Sequence, residues 1–585
     1  MAWWRAPEVF GPWLLLAAAL VAAPTLGDDY LAYQLGLYLL YGLVAQGIAL
    51  TWGRCGFLPL GQALFFGLGA YVSGLVLKAA EVHSAWWAAW PLAVALPAGL
   101  DWGLARVLFA RRSESGPFFS LITLALAMLG FQFANQWSSV TGGFNGLGGI
   151  PDLPGFDRYT TLYWLIAGIV LAATAGWVWL DRMPLGTLWR AVAEQENRLQ
   201  FFGFATDRLK ALAFGLSGAL GGLAGAIYAP HQGLVTPQAT GFQLSAELLI
   251  WAAVGGRGNS SPYGALLGAV GIGWLSATLR QSFVYWEVMV ALLFIVVVLR
   301  HPGGAVALAA PLWRQLARRN GDEPAVAAPA MPGGTDDETL AFEGVRVQQS
   351  GVTILDGLDL VISTRGVHGL IGPNGAGKTS SFNAMSARLP VTAGSIRWRG
   401  RCLAGLTADA VARLGIGRKS QIPSIFPTMS VRDHLRIAIW AQRASGLDLL
   451  RGRTQRWRTP LPDTLTAELP FLSTQADRAA GELSQGQRQM LELVLTFLTE
   501  PRLLLLDEPC AGLSTHETAQ QLALIERTVA SLRATALLIE HDFAAVERMA
   551  TQVHVLHQGR LLVIGTLAEL QADEAVQRVY AGGRK

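Results

Sequence analysis

The front of the chain is a succession of apolar runs, most of them close to the ~20 residues that a helix needs to cross the hydrocarbon of a bilayer. The runs are Gly11–Leu26, Leu31–Thr51, Leu58–Leu77, Ala85–Leu108, Phe118–Trp137, Leu162–Leu180, Lys210–Tyr228, Leu244–Ala277 and Val284–Leu299. A bilayer offers no water to backbone polar groups, so runs of this kind fold as helices. About eight to ten spans are expected, the glycines within Leu244–Ala277 leaving the count open. Gly11–Leu26 follows a single basic residue, Arg5, and Ala22-Ala23 could mimic a signal-peptide cleavage site. The spans that follow at once favour a retained first segment.

Charge separates the front from the back. Residues 1–310 hold 15 Lys+Arg and 14 Asp+Glu, whereas the remaining 275 of the 585 residues hold 30 and 27. The front is therefore a charge-poor, Trp- and Leu-rich segment and the back an ordinary soluble composition. A net charge of +4, evenly paired, argues against a nucleic-acid partner. Cys55, Cys402 and Cys510 stand far apart, with neither a disulfide framework nor zinc-ligand spacing. Between the halves, Pro324 to Gly334 is Ala/Pro/Gly-rich and cannot bury a core, so residues 310–338 read as a flexible tether.

Positive loops stay inside the cell. Asp181–Lys210 carries Arg182, Arg190, Arg198, Arg208 and Lys210, and is read as cytoplasmic; Ser138–Thr161 carries only Arg158 beside Asp152 and Asp157, and is read as external. Within the cytoplasmic loop, Gly186–Asn197 has helical character and precedes Phe201-Phe202-Gly203-Phe204, so it is either a docking helix or a plain connector. Glu247, inside an apolar run, is either a functional intramembrane carboxyl or a residue at a helix end. Thr141–Gly149 is either a re-entrant segment or a flexible external loop.

In the back half, Gly372-Pro373-Asn374-Gly375-Ala376-Gly377-Lys378-Thr379 fits G-x-x-x-x-G-K-[ST] at every required position. A short apolar strand, Val367–Ile371, precedes it, and Ser380–Arg388 reads as a helix. Strand, glycine loop and helix N-terminus aim backbone N–H groups and the positive end of a helix dipole at one spot, which favours an anion of triphosphate type. Lys378 would reach the β- and γ-phosphates and Thr379 would hold Mg²⁺. Downstream, Leu503–Leu506 is a buried strand ending in Asp507 and Glu508, the first placed for Mg²⁺ and the second to orient water at the γ-phosphate. Leu483-Ser484-Gln485-Gly486-Gln487 opens a helix and offers a second anion-binding N-terminus. His541 sits at another strand end, Ala536–Ile539.

These elements, in this order over residues 340–585, resemble an ABC-transporter ATPase. The resemblance implies that Gln421 lines the site as a catalytic and metal-contacting residue, that Ser380 joins the phosphate loop, and that Ser484, Gly486 and Gln487 form the signature motif. The front half is similar to the permease of the hydrophobic (branched-chain) amino-acid uptake family, through Gly61–Tyr71, Thr141–Gly149 and Val254–Gly258. In that light Arg190–Asn197 resembles the helix that docks on the ATPase. The sequence departs from the family pattern at Gln349, where an adenine-stacking aromatic is usual, and at Gln485, Ser514 and Lys419-Ser420; none of these removes a catalytic group.

The expected architecture is an all-α polytopic permease domain (1–309), the tether (310–338) and an α/β phosphate-loop ATPase domain (339–585). What the resemblance implies is an ATP- and Mg²⁺-dependent importer, multi-pass in the bacterial inner membrane with its ATPase in the cytoplasm. It also implies a second permease and a second ABC ATPase, as a heteromer rather than a homodimer, and an extracytoplasmic substrate-binding protein. A half-exporter is the rival transport reading, but exporters have fewer, longer spans and longer cytoplasmic loops. A regulatory ATPase that moves no solute is the reading from another class, and the intact Glu508 and His541 argue against it. The family carries branched-chain or other apolar amino acids, whereas Gly417-Arg418-Lys419, Ser245–Trp251, His516-Glu517-Thr518 and Val576–Tyr580 look more like its urea and short-chain amide branch.

Overall fold

The computed structural model describes residues 7–26, 29–80, 86–109, 116–256, 261–300, 326–329 and 338–582. Most of the expected tether, and Arg257-Gly258 of one permease string, lie outside these residues. The chain divides into two compact units: Met1–Ala193 with Thr206–Glu323, and Glu194–Ala205 with Pro324–Lys585.

In the first unit, seven described helices are long and apolar enough to cross a membrane, and shorter apolar segments are Gly11–Thr25 within helix Pro7–Leu26, helix Phe242–Gly256, and Trp286–Val297 within helix Trp286–Arg300. Leu244–Ala277, expected as one interrupted run, is divided between helices Phe242–Gly256 and Pro262–Ser282. The centre of the unit is Thr206–Gln232, whose Gly218, Gly222 and Gly225 lie on its buried side. A Cβ at Gly225 would overlap the Phe66 carbonyl oxygen on helix Gln62–Ala80, and one at Gly222 the Ala93 carbonyl oxygen on Ala89–Phe109. Small residues thus let backbones meet where lipid supplies no hydrophobic drive between helices. The first helix, Pro7–Leu26, is tied to Thr161–Arg182 by Trp13 Nε1–H to the Leu171 carbonyl (3.1 Å) and by the Tyr163 hydroxyl to the Leu20 carbonyl (2.7 Å). The glycine-rich stretch after Trp137 is folded: Leu147–Gly148 pairs antiparallel with Leu234–Val235, and the Thr141 hydroxyl donates to the Ala134 carbonyl at 2.6 Å. Glu247 lies inside helix Phe242–Gly256, taking a 3.4 Å contact from the Gln243 amide one turn earlier.

The second unit is built on two sheets. One has six strands in the order Arg560–Gly565, Gln552–His557, Gly366–Ile371, Thr535–Ile539, Leu503–Asp507 and Ile416–Lys419, parallel except for the first pair. Its inner strands read as unbroken apolar runs because they are covered on both faces; every residue of Leu503–Asp507 and Thr535–Ile539 is buried. The other sheet has four antiparallel strands, Val352–Ile362, Leu340–Gln349, Ala393–Trp398 and Arg401–Cys402. Phe342, Leu355, Phe382, Trp398, Leu505 and Leu537 belong to the core that joins the two sheets. Val326–Ala327, in the stretch read as tether, pairs in parallel with Trp457–Arg458.

Pro184–Phe201 is one helix interrupted at Gln195, whose φ of −149° and ψ of 76° are not helical. The break falls where the chain leaves the first unit, between Ala193 and Glu194. The docking helix expected at Arg190–Asn197 is therefore divided, and Glu194–Ala205 belongs to the unit that carries the ATPase motifs.

Candidate functional site

Parallel strands deliver their carboxyl ends to one edge of a sheet, and ligands of open α/β sheets bind there. Four ends matter: Ile371 leads into the phosphate loop, Lys419 into Gln421, Asp507 into Glu508, and Ile539 into His541. The phosphate loop turns through Gly375 (φ 81°) and Gly377 (φ 99°), conformations that suit glycine. A helix, Lys378–Met385, starts at the lysine, two residues before the expected Ser380, and stops at Met385 rather than Arg388 because Ala387 takes a left-handed φ of 58°. Lys378 Nζ donates back to the carbonyls of Gly372 (2.7 Å) and Pro373 (3.1 Å). Burial lowers its pKa, opposed by Glu508 and Asp507 nearby. Thr379 stands exposed in the first turn of the same helix.

Glu508 is the point on which the predicted residues converge. Gln421 Nε2 donates to its Oε2 at 2.8 Å, and His541 Nε2 lies 3.0 Å from its Oε1. Its backbone is held at a φ of 44°, uncommon for a residue with a side chain, by an N–H bond to the Ile539 carbonyl (2.8 Å). A carboxylate gripped at both oxygens and still partly open to solvent is oriented for work on a water molecule.

Asp507 is buried beside it, with Oδ1 lacking a partner and Oδ2 4.0 Å from Arg418 Nη2. Burial raises its pKa, and Arg418 opposes that first. An orphaned carboxylate oxygen in this position fits a cation ligand, and oxygen donors are what Mg²⁺ takes. The Thr379 hydroxyl and the Gln421 amide oxygen complete a compatible donor set.

Ser484 caps helix Gln485–Leu498 in a capping box: its Oγ accepts the Gln487 N–H (3.2 Å), and Gln487 Oε1 accepts the Ser484 N–H (3.1 Å). Gln485 and Gly486 face Gly512 and Glu517, so this segment packs at the start of helix Thr515–Leu532, whose own cap is Ser514. Gln349 is exposed at the end of Leu340–Gln349, an inner strand of the antiparallel sheet whose Leu340, Phe342, Val345 and Val347 are buried.

Sequence reasoning missed two supports of this site, Arg418 and Glu540, and left open a third, docking by the Arg190–Asn197 stretch that contains Glu194. Arg418 donates to the Asn383 side chain (2.7 Å) and the Ser386 hydroxyl, linking the glutamine strand to the phosphate-loop helix. Glu540 Oε1 accepts the Cys510 N–H at 2.9 Å and so fixes the turn after Glu508. Glu194 accepts from both the N–H (2.9 Å) and the hydroxyl of Thr428, a few residues past Gln421, while Arg413 Nη1 donates to the Gly203 carbonyl (2.9 Å). The legible signal was charge in unlikely places, since a cation inside a four-residue buried strand needs a partner.

Residues 30–299 match the family described as the branched-chain amino acid transport system permease component, and residues 355–511 match the ABC transporter family. The ATP-binding protein LivG of high-affinity branched-chain amino acid transport in Salmonella typhimurium is 34% identical over 42% of this chain and 97% of its own length. The corresponding protein BraF of Pseudomonas aeruginosa is 33% identical, again over 42% of this chain and 97% of its own. Among solved structures, a nucleotide-free ATP-binding cassette from an ABC transporter is 25% identical, with a TM-score of 0.36, over 42% of this chain and 98% of its own. The chain belongs to the branched-chain amino acid group of ABC transporters, with a permease component fused ahead of the ATP-binding component. It is a multi-pass membrane protein with a cytoplasmic ATPase that binds ATP and couples its hydrolysis to transport.

Proposed function

We propose that this chain is the permease and ATPase, in one polypeptide, of a bacterial inner-membrane importer for branched-chain or other hydrophobic amino acids, or for small amides such as urea. An extracytoplasmic binding protein delivers the substrate, and a second permease and a second ATPase complete the assembly as a heteromer. The observation that carries the reading is the grip of Gln421 and His541 on Glu508, in a chain whose front half matches a branched-chain permease component.

The backbone N–H groups of Gly372–Thr379, Pro373 apart, would hold ATP, and Lys378, which donates to the Gly372 and Pro373 carbonyls, would turn to meet the β- and γ-phosphates. Asp507, Thr379 and Gln421 would hold Mg²⁺, which when bound neutralises charge on the phosphates. Glu508 would orient the attacking water and accept its proton, and His541, held beside Glu508, would contact the γ-phosphate. Ser484, Gly486 and Gln487 act on nucleotide held by the partner ATPase, at a helix start where Ser484 and Gln485 are exposed.

Measuring ligand binding to the partner binding protein tests the substrate class. Tight leucine binding without urea binding selects amino acids, and the reverse selects amides. Tight binding of a sugar or a metal ion by that protein, with neither leucine nor urea bound, overturns the proposal.

A further inference from the structure

Arg198 belongs to Glu194–Ala205, the short segment assigned to the ATPase-bearing unit although the chain on either side of it belongs to the other. It is fully buried, and its guanidinium fork reaches several acceptors at once. Nη1 donates to the Arg418 carbonyl at 2.9 Å and lies 3.4 Å from Glu492 Oε1; Nη2 donates to the Glu492 carbonyl (3.0 Å) and the Thr496 hydroxyl (3.1 Å). The ring of Phe202 lies 4.7 Å from the guanidinium carbon. Only a planar fork makes these bonds together; a lysine ammonium is a single point of donors.

The partner of this arginine explains what it does. Glu492 is also fully buried, and the same Oε1 that faces Arg198 accepts the N–H of Ser420 at 3.3 Å. Ser420 precedes Gln421, whose amide donates to Glu508 Oε2 at 2.8 Å. Glu492 also sits in the field of the buried Lys419. Two of the bonds from Arg198 therefore bear on one stretch of chain: the Arg418 carbonyl directly, and the Ser420 N–H through Glu492. Mere anchoring would be served by apolar side chains, and Phe201 and Phe202 already supply them. A buried carboxylate deprived of its cation shifts, finds another partner or takes up a proton, and each response disturbs the N–H bonded to it.

We propose that Arg198 is a positioning residue for ATP hydrolysis: by holding Glu492 against the Ser420 N–H, it sets the register in which Gln421 meets Glu508. This rests on the transporter reading above. Arg198 touches neither nucleotide nor water, so its influence falls on turnover rather than on nucleotide affinity. Because its segment is continuous with the first unit at both ends, a shift of the chain there reaches Glu508 through the contacts Arg198–Glu492, Glu492–Ser420 and Gln421–Glu508.

The test is steady-state ATP hydrolysis by the complete membrane assembly, with a fluorescent ATP analogue binding as the control for folding. Arg198→Met is expected to lower kcat by roughly 10²-fold, the scale of a misplaced catalytic group, with KM changed by less than about 2-fold. Arg198→Lys recovers part of kcat, since it keeps the charge beside Glu492 but not the fork. The double variant Arg198→Met with Glu492→Met replaces the whole buried pair by apolar groups, so it restores folding while kcat stays low. Parental kcat in either the single or the double methionine variant overturns the proposal and returns Arg198 to a packing role. If Arg198→Met fails to fold, the lysine and double variants carry the test by the same criteria. A parental assembly that hydrolyses no ATP overturns the transporter reading itself, so the two failures are distinct.

Discussion

In the proposed mechanism, Glu508 and Lys378 divide the chemistry between them at the scale of single side chains. Glu508 is held at both oxygens and remains partly open, whereas Lys378 is buried against the phosphate-loop carbonyls. Glu508→Gln keeps the shape and removes the charge that orients and accepts from water. It is expected to leave ATP affinity nearly intact while hydrolysis falls by roughly 10²-fold or more. Lys378→Ala instead weakens nucleotide binding itself, because it removes the cation that meets the phosphates. Equilibrium nucleotide binding and hydrolysis, measured side by side with the partner ATPase site disabled, check both. Parental hydrolysis by Glu508→Gln would show that another group activates the water.

Secondary-structure elements add a pH dependence of their own. His434, in helix Val431–Trp440, accepts the Phe426 N–H on Nε2 (2.9 Å) and donates from Nδ1 to the Ser430 carbonyl (2.7 Å). A second proton on that ring would set donor against donor. His554, in strand Gln552–His557, is buried beside His368 on the neighbouring strand, at 3.5 Å. Burial pushes both His434 and His554 down to about 4. The unfolded chain takes up these protons near the ordinary value of about 6.5 and the folded chain does not, so stability falls as pH drops from there toward about 4. The loss is on the order of 3 kcal/mol for each ring. Denaturation midpoints across that window check it: His434→Gln and His554→Gln should each flatten the slope, and an unchanged slope in both would sink the account.

At the scale of the molecule, one chain brings one phosphate loop and one signature helix, and the structure does not set one upon the other. Ser484–Gln487 packs against Gly512 and Glu517, while the phosphate loop gathers Lys378, Glu508, Gln421 and His541. The proposed division of labour follows, with each signature helix serving the nucleotide of its partner. Ser484→Arg should therefore leave ATP affinity at this chain's own phosphate loop unchanged while hydrolysis by the assembly falls at least about 10-fold, through the lost anion site at the helix start. Labelling the nucleotide at each loop separately checks which site fails. Failure confined to this chain's own loop would reverse the assignment.

Much of this was legible in order along the chain, for physical reasons. Helices that cross a bilayer must satisfy their own backbone, so apolar length alone marked the front half, even where Gly256 and Pro262 split one run into two helices. The phosphate loop and Asp507-Glu508 were legible because each is set by local chemistry, glycines at left-handed turns and carboxylates at a strand end. Three things were decided only by the tertiary structure. Which oxygen of Glu508 meets Gln421 and which meets His541 depends on three strands arriving in parallel at one edge. Whether the loop after Arg190 docks depends on contacts with Thr428, Arg413 and Glu492, far away in sequence, which moved the docked part to Glu194–Ala205. Arg198 read as one more positive charge in a cytoplasmic loop. Its burial opposite Glu492, 294 residues away, is set by a pairing that no local pattern encodes, because a buried ion pair is defined by what closes around it and not by its neighbours in sequence.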